Sequence, residues 1–243
     1  MRFGYLSTFD NPLLPLYISS AKIEKIDNLV VINDSLGISE KDHKIFKLRT
    51  NGFFGDGNNL KNCIVNLENL GIPIYVVDNH NSFEAINLYK KLKIDCLINA
   101  GTPRKLSDKV LCSTNYGVIN IHPGILPQYR GCSCVEWAII NDHPIGNTAH
   151  FMDLNYDTGP IITNEIYTFD KKSNYVEIRN KVYQSGCLLA AKVIKGIENG
   201  DFTLNKCTIQ KESEGKYWEP ISSKLEQLSI DKANRGKYKY QEI

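Results

Sequence analysis

An α/β fold, doubly wound around a mostly parallel sheet, is the architecture this sequence predicts. Three observations carry it. Short apolar runs alternate with helix-period segments, as strands buried on both faces alternate with covering helices. The composition is that of a globular protein, 42% hydrophobic and 23% charged over 243 residues, which excludes disordered, collagenous and disulfide-scaffold classes. The longest charge-free run, Val110 to Tyr129, has the length of a membrane helix but holds Asn115, Gly117, Asn120, His122, Pro123, Gly124 and Pro127. Such a run reads as a buried strand entering a functional loop.

Phe3–Leu6, Leu29–Ile32, Ile72–Val77 and Cys96–Ile98 read as parallel strands. Ser82–Lys93 reads as a helix capped by Ser82, with Phe83, Ile86 and either Tyr89 or Lys90 on its inner side. A fifth strand, Gly117–Ile121, leads into His122-Pro123-Gly124, and open α/β sheets bind ligands beyond the carboxyl ends of their strands. Cys134–Asn141 reads as a short helix, Thr148–Met152 as a strand, and Ile161–Phe169 as further β structure. Asn174–Asn199 is the clearest helix: Ile178, Val182, Gly186, Leu189, Val193 and Ile197 repeat at helical spacing, Asn174 and Glu177 form a capping box, and Gly200 ends it. Residues 1–200 are therefore expected to form the catalytic domain, and 201–243 a small β/helix appendage. Within that appendage Phe202–Gln210 reads as a strand and Lys211–Gly215 as a turn.

Charge and cysteine usage narrow the partners. A net charge of +2 argues against nucleic acid, and Lys232, Arg235, Lys237 and Lys239 read as a solvated tail. Seven cysteines, an odd number, stand at 63, 96, 112, 132, 134, 187 and 207, several of them in apolar runs where a free thiol packs as a small hydrophobe. With no signal-like start, a cytoplasmic protein is expected. Cys132-x-Cys134 with His122 and His143 lacks the paired spacing of zinc sites, so no metal is expected.

The chemistry concentrates in Asn120-Ile121-His122-Pro123-Gly124-Ile125-Leu126-Pro127, Arg130-Gly131, Trp137-Ala138-Ile139, Gly146-Asn147-Thr148-Ala149-His150 and Asp157-Thr158-Gly159-Pro160. Asn120 and His122 alternate along a strand end and so share a face. An Asn amide donates to a developing oxyanion, a neutral His takes a proton from an attacking amine or hydroxyl, and Asp157 would orient the imidazole. No strong nucleophile is among them, so a bound substrate is expected to attack directly. Taken singly, each element is as well read as a polar turn; their ordered conjunction is not.

That conjunction resembles the folate-dependent formyltransferases, whose signature looks like Asn-x-His-Pro-Ser-Leu-Leu-Pro followed by an Asp in an Asp-x-Gly context. Here His122 and Asp157 lie 35 residues apart, and Gly124 replaces the common Ser. The likeness is strong over residues 95–165. It implies a Rossmann-like formyltransferase fold, Asn120, His122 and Asp157 as the catalytic triad, and N10-formyltetrahydrofolate as co-substrate. A substrate amine would attack the formyl carbon, Asn120 and protonated His122 would stabilise the oxyanion, and protons would pass through His122 to N10. Gly101-Thr102-Pro103-Arg104-Lys105-Leu106 matches the family's folate segment. By that resemblance, backbone around Arg104 and Leu106, apolar contact from Leu111 and the loop from Asp153 to Asp157 would enclose the pteridine.

The acceptor follows from comparing branches of the resembled family. Leu6–Pro12 has no glycine, so the phosphate nest of the glycinamide ribonucleotide branch is missing. About forty residues follow Gly200, too few for the oligonucleotide-binding barrel of the methionyl-tRNA branch. The sugar N-formyltransferases remain: a Gln (Gln210) and an aromatic segment (Tyr217-Trp218-Glu219-Pro220) in a short tail match them. The resemblance then implies a thymidine-linked 4-amino-4,6-dideoxyhexose as acceptor, a homodimer, and a place in surface polysaccharide (O-antigen) synthesis. Tyr217 or Trp218 would stack on the base and Lys216 meet the diphosphate, or else these are core or interface residues. Transfer to another amine, such as glycinamide ribonucleotide or Met-tRNA, is the alternative within the family; a formyltetrahydrofolate hydrolase and a non-catalytic folate- or nucleotide-binding relative are the alternatives of other classes.

Overall fold

The computed structural model describes residues 1–55 and 71–242; Cys63 lies outside them. Seven strands form the central sheet: β1 (Phe3–Thr8), β2 (Leu29–Asp34), β3 (Ile74–Val77), β4 (Cys96–Asn99), β5 (Val118–His122), β7 (Ile145–Phe151) and β8 (Ile161–Tyr167). Their order is β3-β2-β1-β4-β5-β7-β8. The first five are parallel, and β7 and β8 add an antiparallel edge. Strand order reverses between β1 and β4, the switch point at which doubly wound sheets open a crevice for ligands.

β1 and β2 are buried along their whole lengths, which is why they read as continuous apolar runs. Phe3, Tyr5, Leu29 and Val31 face α1 (Leu14–Ile23) and α6 (Tyr175–Asn199). Leu6, Val30 and Ile32 face α3 (Phe83–Lys91) and α4 (Asp108–Leu111). Ser82 caps α3 by accepting from the Ala85 N–H (3.1 Å), and Asn174 and Glu177 close the capping box of α6, each such cap contributing about 1 kcal/mol. Ala85, Ile86 and Tyr89 form the inner side of α3, whereas Phe83 is 73% exposed. Phe83 occupies the first helical turn, where its direction carries it past the sheet, so it does not belong to the apolar side.

The region after Gly200 departs from expectation in two places. Phe202–Gln210 is not a strand. The Phe202 ring packs onto the Cα of Gly196, Leu204–Lys206 forms a 3-10 turn, and Thr208 makes one bridge to Ile161. Burial of Phe202 at the end of α6 takes the chain off any strand path. The basic C-terminal segment is folded rather than a tail, although Arg235, Lys237 and Lys239 are exposed as expected. It contains α7 (Ser223–Asn234), which packs on α5 (Cys134–Asn141) with Ala233 and Tyr238 buried. Lys232 pairs with Asp142 at 2.6 Å and donates to the Ile140 carbonyl at 3.1 Å. On the other side of α7, Arg49 of α2 (Glu40–Thr50) pairs with Glu226 at 2.9 Å.

Between these layers two short strands pair in parallel, β6 (Arg130–Gly131) and β10 (Tyr217–Trp218). Gly131 is at φ 91°, and a Cβ there would sit 2.5 Å from the Trp218 carbonyl oxygen. Only glycine permits that pairing. Among the described residues no helix is long and apolar enough to cross a membrane.

Candidate active site

Asn120 and His122 project from β5 on one face, and the antiparallel register sets His150 of β7 opposite Asn120. Asp157 lies on the loop after β7 with φ 57°. That loop can settle on the end of β7 because residue 159 is glycine; a Cβ there would run into the Phe151 carbonyl. The result is a buried cluster. His122 Nδ1 is 3.4 Å from Asp157 Oδ2, and His150 Nε2 is 3.5 Å from Asp157 Oδ1.

The hydrogen-bond chain assigns the protons. The Gly101 and Thr102 N–H groups donate to Asn99 Oδ1, so Asn99 Nδ2 donates to Asn120 Oδ1 at 3.0 Å. Asn120 Nδ2 is thereby turned toward His150 Nε2 at 3.2 Å. His150 Nδ1 donates to the Phe151 carbonyl (2.9 Å), which leaves Nε2 as the acceptor. Asn120 retains a second amide hydrogen for a ligand. On His122, Nε2 lies 2.6 Å from the Tyr129 carbonyl, which can only accept, so Nε2 carries a hydrogen and Nδ1 is the working nitrogen.

Burial lowers the His122 pKa from its usual value, and His150 lowers it further. The Asp157 charge and the Tyr129 hydrogen bond oppose this without cancelling it. Burial alone would raise the Asp157 carboxyl. The His150 and His122 imidazoles beside it and the Gly131 N–H (2.9 Å) hold it below the usual carboxylate range. A neutral imidazole thus faces an ionised carboxylate through Nδ1. The arrangement can take up a proton there and stabilise the imidazolium that forms.

Through Asn120 the cluster borders the switch point. A hollow of about 180 Å³ is lined by Leu13, Asn99, Gly101, Asn120, Pro123 and Tyr183, among others. It shares Leu13 and Tyr183 with a neighbouring hollow of about 240 Å³ beside Phe46. It shares Gly101 with one of about 680 Å³ running from Ser35 to Ser39.

The remaining predicted residues fall on two other sides. Leu106 and Leu111 are buried in one apolar cluster, against which Met152 packs. Arg104 turns its side chain away to Asp34, with Nε 2.7 Å from Oδ2. The Arg104 and Leu106 main-chain N–H and C=O groups make no hydrogen bond among the described residues. Lys105 Nζ lies 4.7 Å from the Tyr156 ring centroid, so this loop faces the 153–157 loop, where Asp153 accepts from Thr158 Oγ1 at 2.7 and 2.8 Å. Trp218 stacks on Tyr129 (centroids 5.2 Å, 6°) and tilts against Trp137, with Lys216 Nζ 3.6 Å from its own centroid. Tyr217 is 46% exposed. Among the described residues no group of three or more His, Cys, Asp or Glu side chains is placed to hold a metal ion.

Residues 63–194 match the family described as formyl transferase. The chain belongs to that family. Methionyl-tRNA formyltransferase of Clostridium tetani is 34% identical over 60% of this chain and 46% of its own length, so this formyl transferase chain spans about half of that curated relative. A sugar N-formyltransferase structure from Shewanella is similar with TM-score 0.63 and 15% identity, over 96% of this chain and 88% of that one. A formyltransferase from Anoxybacillus kamchatkensis, in complex with UDP-4,6-dideoxy-4-formamido-L-AltNAc and tetrahydrofolate, is similar with TM-score 0.52 and 19% identity, over 75% and 95%.

Sequence reasoning passed over His150, Asn99, Phe46 and Tyr183. His150 closes the Gly146-Asn147-Thr148-Ala149-His150 segment, whose sequence alone assigns it no partner. Its pairing with Asn120 is a register fact across 30 residues that no local pattern encodes. Asn99 was legible in principle, as the polar end of an apolar strand.

Proposed function

We propose that this formyl transferase moves a formyl group from N10-formyltetrahydrofolate to the amine of a nucleotide-linked amino sugar. The observation that carries the reading is the Asn120–His122–His150–Asp157 cluster, which borders the switch-point hollow through Asn120. The folate supplies an activated formyl group. Unpaired backbone groups of Arg104 and Leu106, the apolar wall of Leu106, Leu111 and Met152, and the facing 153–157 loop suit a flat, hydrogen-bonding ring system such as a pteridine.

Asn120 directs its remaining amide hydrogen at the formyl oxygen as charge develops there, an interaction whose removal typically costs about 10²–10³ in rate. His122 Nδ1 takes the proton from the attacking amine, Asp157 stabilises the imidazolium, and the same nitrogen returns the proton to the leaving N10. Tyr129 and Asn99 orient the two groups throughout. The acceptor occupies the connected hollows, whose mixture of Asn99, Asn120 and Ser39 with Leu13, Phe46 and Tyr183 suits a sugar joined to a planar base. Exposed Tyr217 packs beside Gly131.

A second reading, Met-tRNA as acceptor, is favoured by the curated relative named above. One experiment separates them. Nucleotide-linked amino sugars, thymidine-linked 4-amino-4,6-dideoxyhexoses first, are incubated with the formyl donor beside Met-tRNA and glycinamide ribonucleotide, and mass spectrometry follows the gain of one formyl group. A formylated sugar nucleotide is expected. Formylation of Met-tRNA or glycinamide ribonucleotide alone would overturn the acceptor, and formate release without any acceptor would indicate a hydrolase.

A further inference from the structure

Asp157 is presented by a loop at a left-handed residue, yet its carboxylate must meet two imidazoles at once. Such a loop needs holding from outside. Gln210 lies across it: Nε2 donates to the carbonyls of Asp157 (3.0 Å) and Gly159 (2.7 Å). Its Oε1 accepts from Arg130 Nε (3.1 Å) and Nη2 (2.9 Å). Arg130 is 6% exposed and, among the described residues, pairs with no carboxylate. Its neighbours on the chain fix the rest of the site. The Tyr129 carbonyl holds His122 Nε2, and the Gly131 N–H holds Asp157 Oδ2. One carboxamide therefore joins the side chain of Arg130, whose chain neighbours orient the base and its partner, to the backbone that presents Asp157.

We propose that Gln210 is a positioning residue, whose simultaneous donation to the Asp157–Gly159 loop and acceptance from Arg130 set the Asp157 carboxylate against His122 and His150. The assignment rests on the formyl-transfer reading. An amide is required because both functions are used. Glutamate would keep the Arg130 contact but lose both donors and place a charge against two carbonyl oxygens. Methionine would keep the volume and lose everything polar. The ionisable groups facing the pair are His150 of β7 and, at the start of α5, Cys134, whose Sγ is 3.4 Å from His122 Nε2 and whose thiol burial pushes far up. Cys132 nearby is raised by burial as well.

The test uses the full chain with Gln210→Glu and Gln210→Met. It measures kcat and KM for both substrates, melting temperature, and the imidazole titration of His122 by NMR. In both variants kcat is expected to fall about 10- to 100-fold with KM little changed, as for a group displaced by a fraction of an ångström. The His122 titration should also move to lower pH, because the Asp157 charge that raises it has drifted away. Unchanged kcat and His122 titration, whatever the melting temperature does, would overturn the proposal, as would a loss confined to KM. Absence of transfer by the unaltered chain defeats the functional reading instead. The imidazole titrations then still decide the positioning role.

Discussion

Asp34 and Asp157 are both buried carboxylates beside histidines, and they behave differently because their partners do. Asp34 is fully buried and takes Arg104 through two contacts, 2.7 and 3.1 Å, together with the N–H groups of Leu36 and His80. Those contacts outweigh the burial that would raise its pKa. Arg104 cannot give up its proton, so nothing in that network changes charge near neutrality. Asp157 has no guanidinium. Its neighbours are two imidazoles and one backbone N–H, so its counter-charge can appear and disappear with a proton. A permanently charged partner makes a structural bracket, and a titratable one makes a site for proton transfer.

The largest effect should come from removing the titratable partner. His122→Asn leaves a polar side chain that cannot carry a proton, so kcat should fall about 10²–10⁴-fold. Circular dichroism and melting temperature should stay near those of the unaltered chain. Turnover within a few-fold of normal would remove His122 from the chemistry and erase the contrast between the two aspartates.

Asp34→Ala attacks the bracket instead. It strands Arg104 and removes the acceptor of the His80 N–H, and breaking a buried pair costs roughly 3 kcal/mol, the lower end applying because Arg104 is partly exposed. Thermal denaturation should show the loss. The folded fraction should keep its kcat within a few-fold, with a higher KM for the formyl donor because the 101–106 loop is no longer anchored. A collapse of kcat at unchanged stability would make Asp34 part of the chemistry.

What was legible in the sequence follows the same division between local and long-range causes. Strands buried on both faces announce themselves as apolar runs, and α6 announces itself by period and capping box, because those signals are local. The Asn120, His122 and Asp157 set was visible as an ordered motif, but its second imidazole was not, since His150 reaches Asn120 only through sheet register. Phe202–Gln210 misled because its apolar residues serve separate purposes. Phe202 packs on Gly196, Cys207 is half-buried, and Ile209 is 73% exposed. α7 was obscured by its charge, of which Lys232 and Glu226 pair with Asp142 and Arg49 while Lys224 faces solvent.

The finest distinction separates His80 from His122 by pH. Burial lowers both pKa values, with Arg104 adding to the effect at His80 and His150 at His122. Each folded imidazole therefore binds fewer protons than its unfolded counterpart. Stability is lost as pH falls below the unfolded value of about 6.5 toward the folded pKa, and both residues contribute. Activity reads only one of them. The kcat/KM profile should rise with pH through an acid limb below that same value, reporting neutral His122 in the free enzyme. His80→Asn should lower the melting temperature, because His80 bridges Thr102 and the Ile32 carbonyl, yet leave the acid limb in place. A limb that moves with His80 would mean that the Asp34 network shares protons with the site, and the two aspartates would then differ in degree rather than in kind.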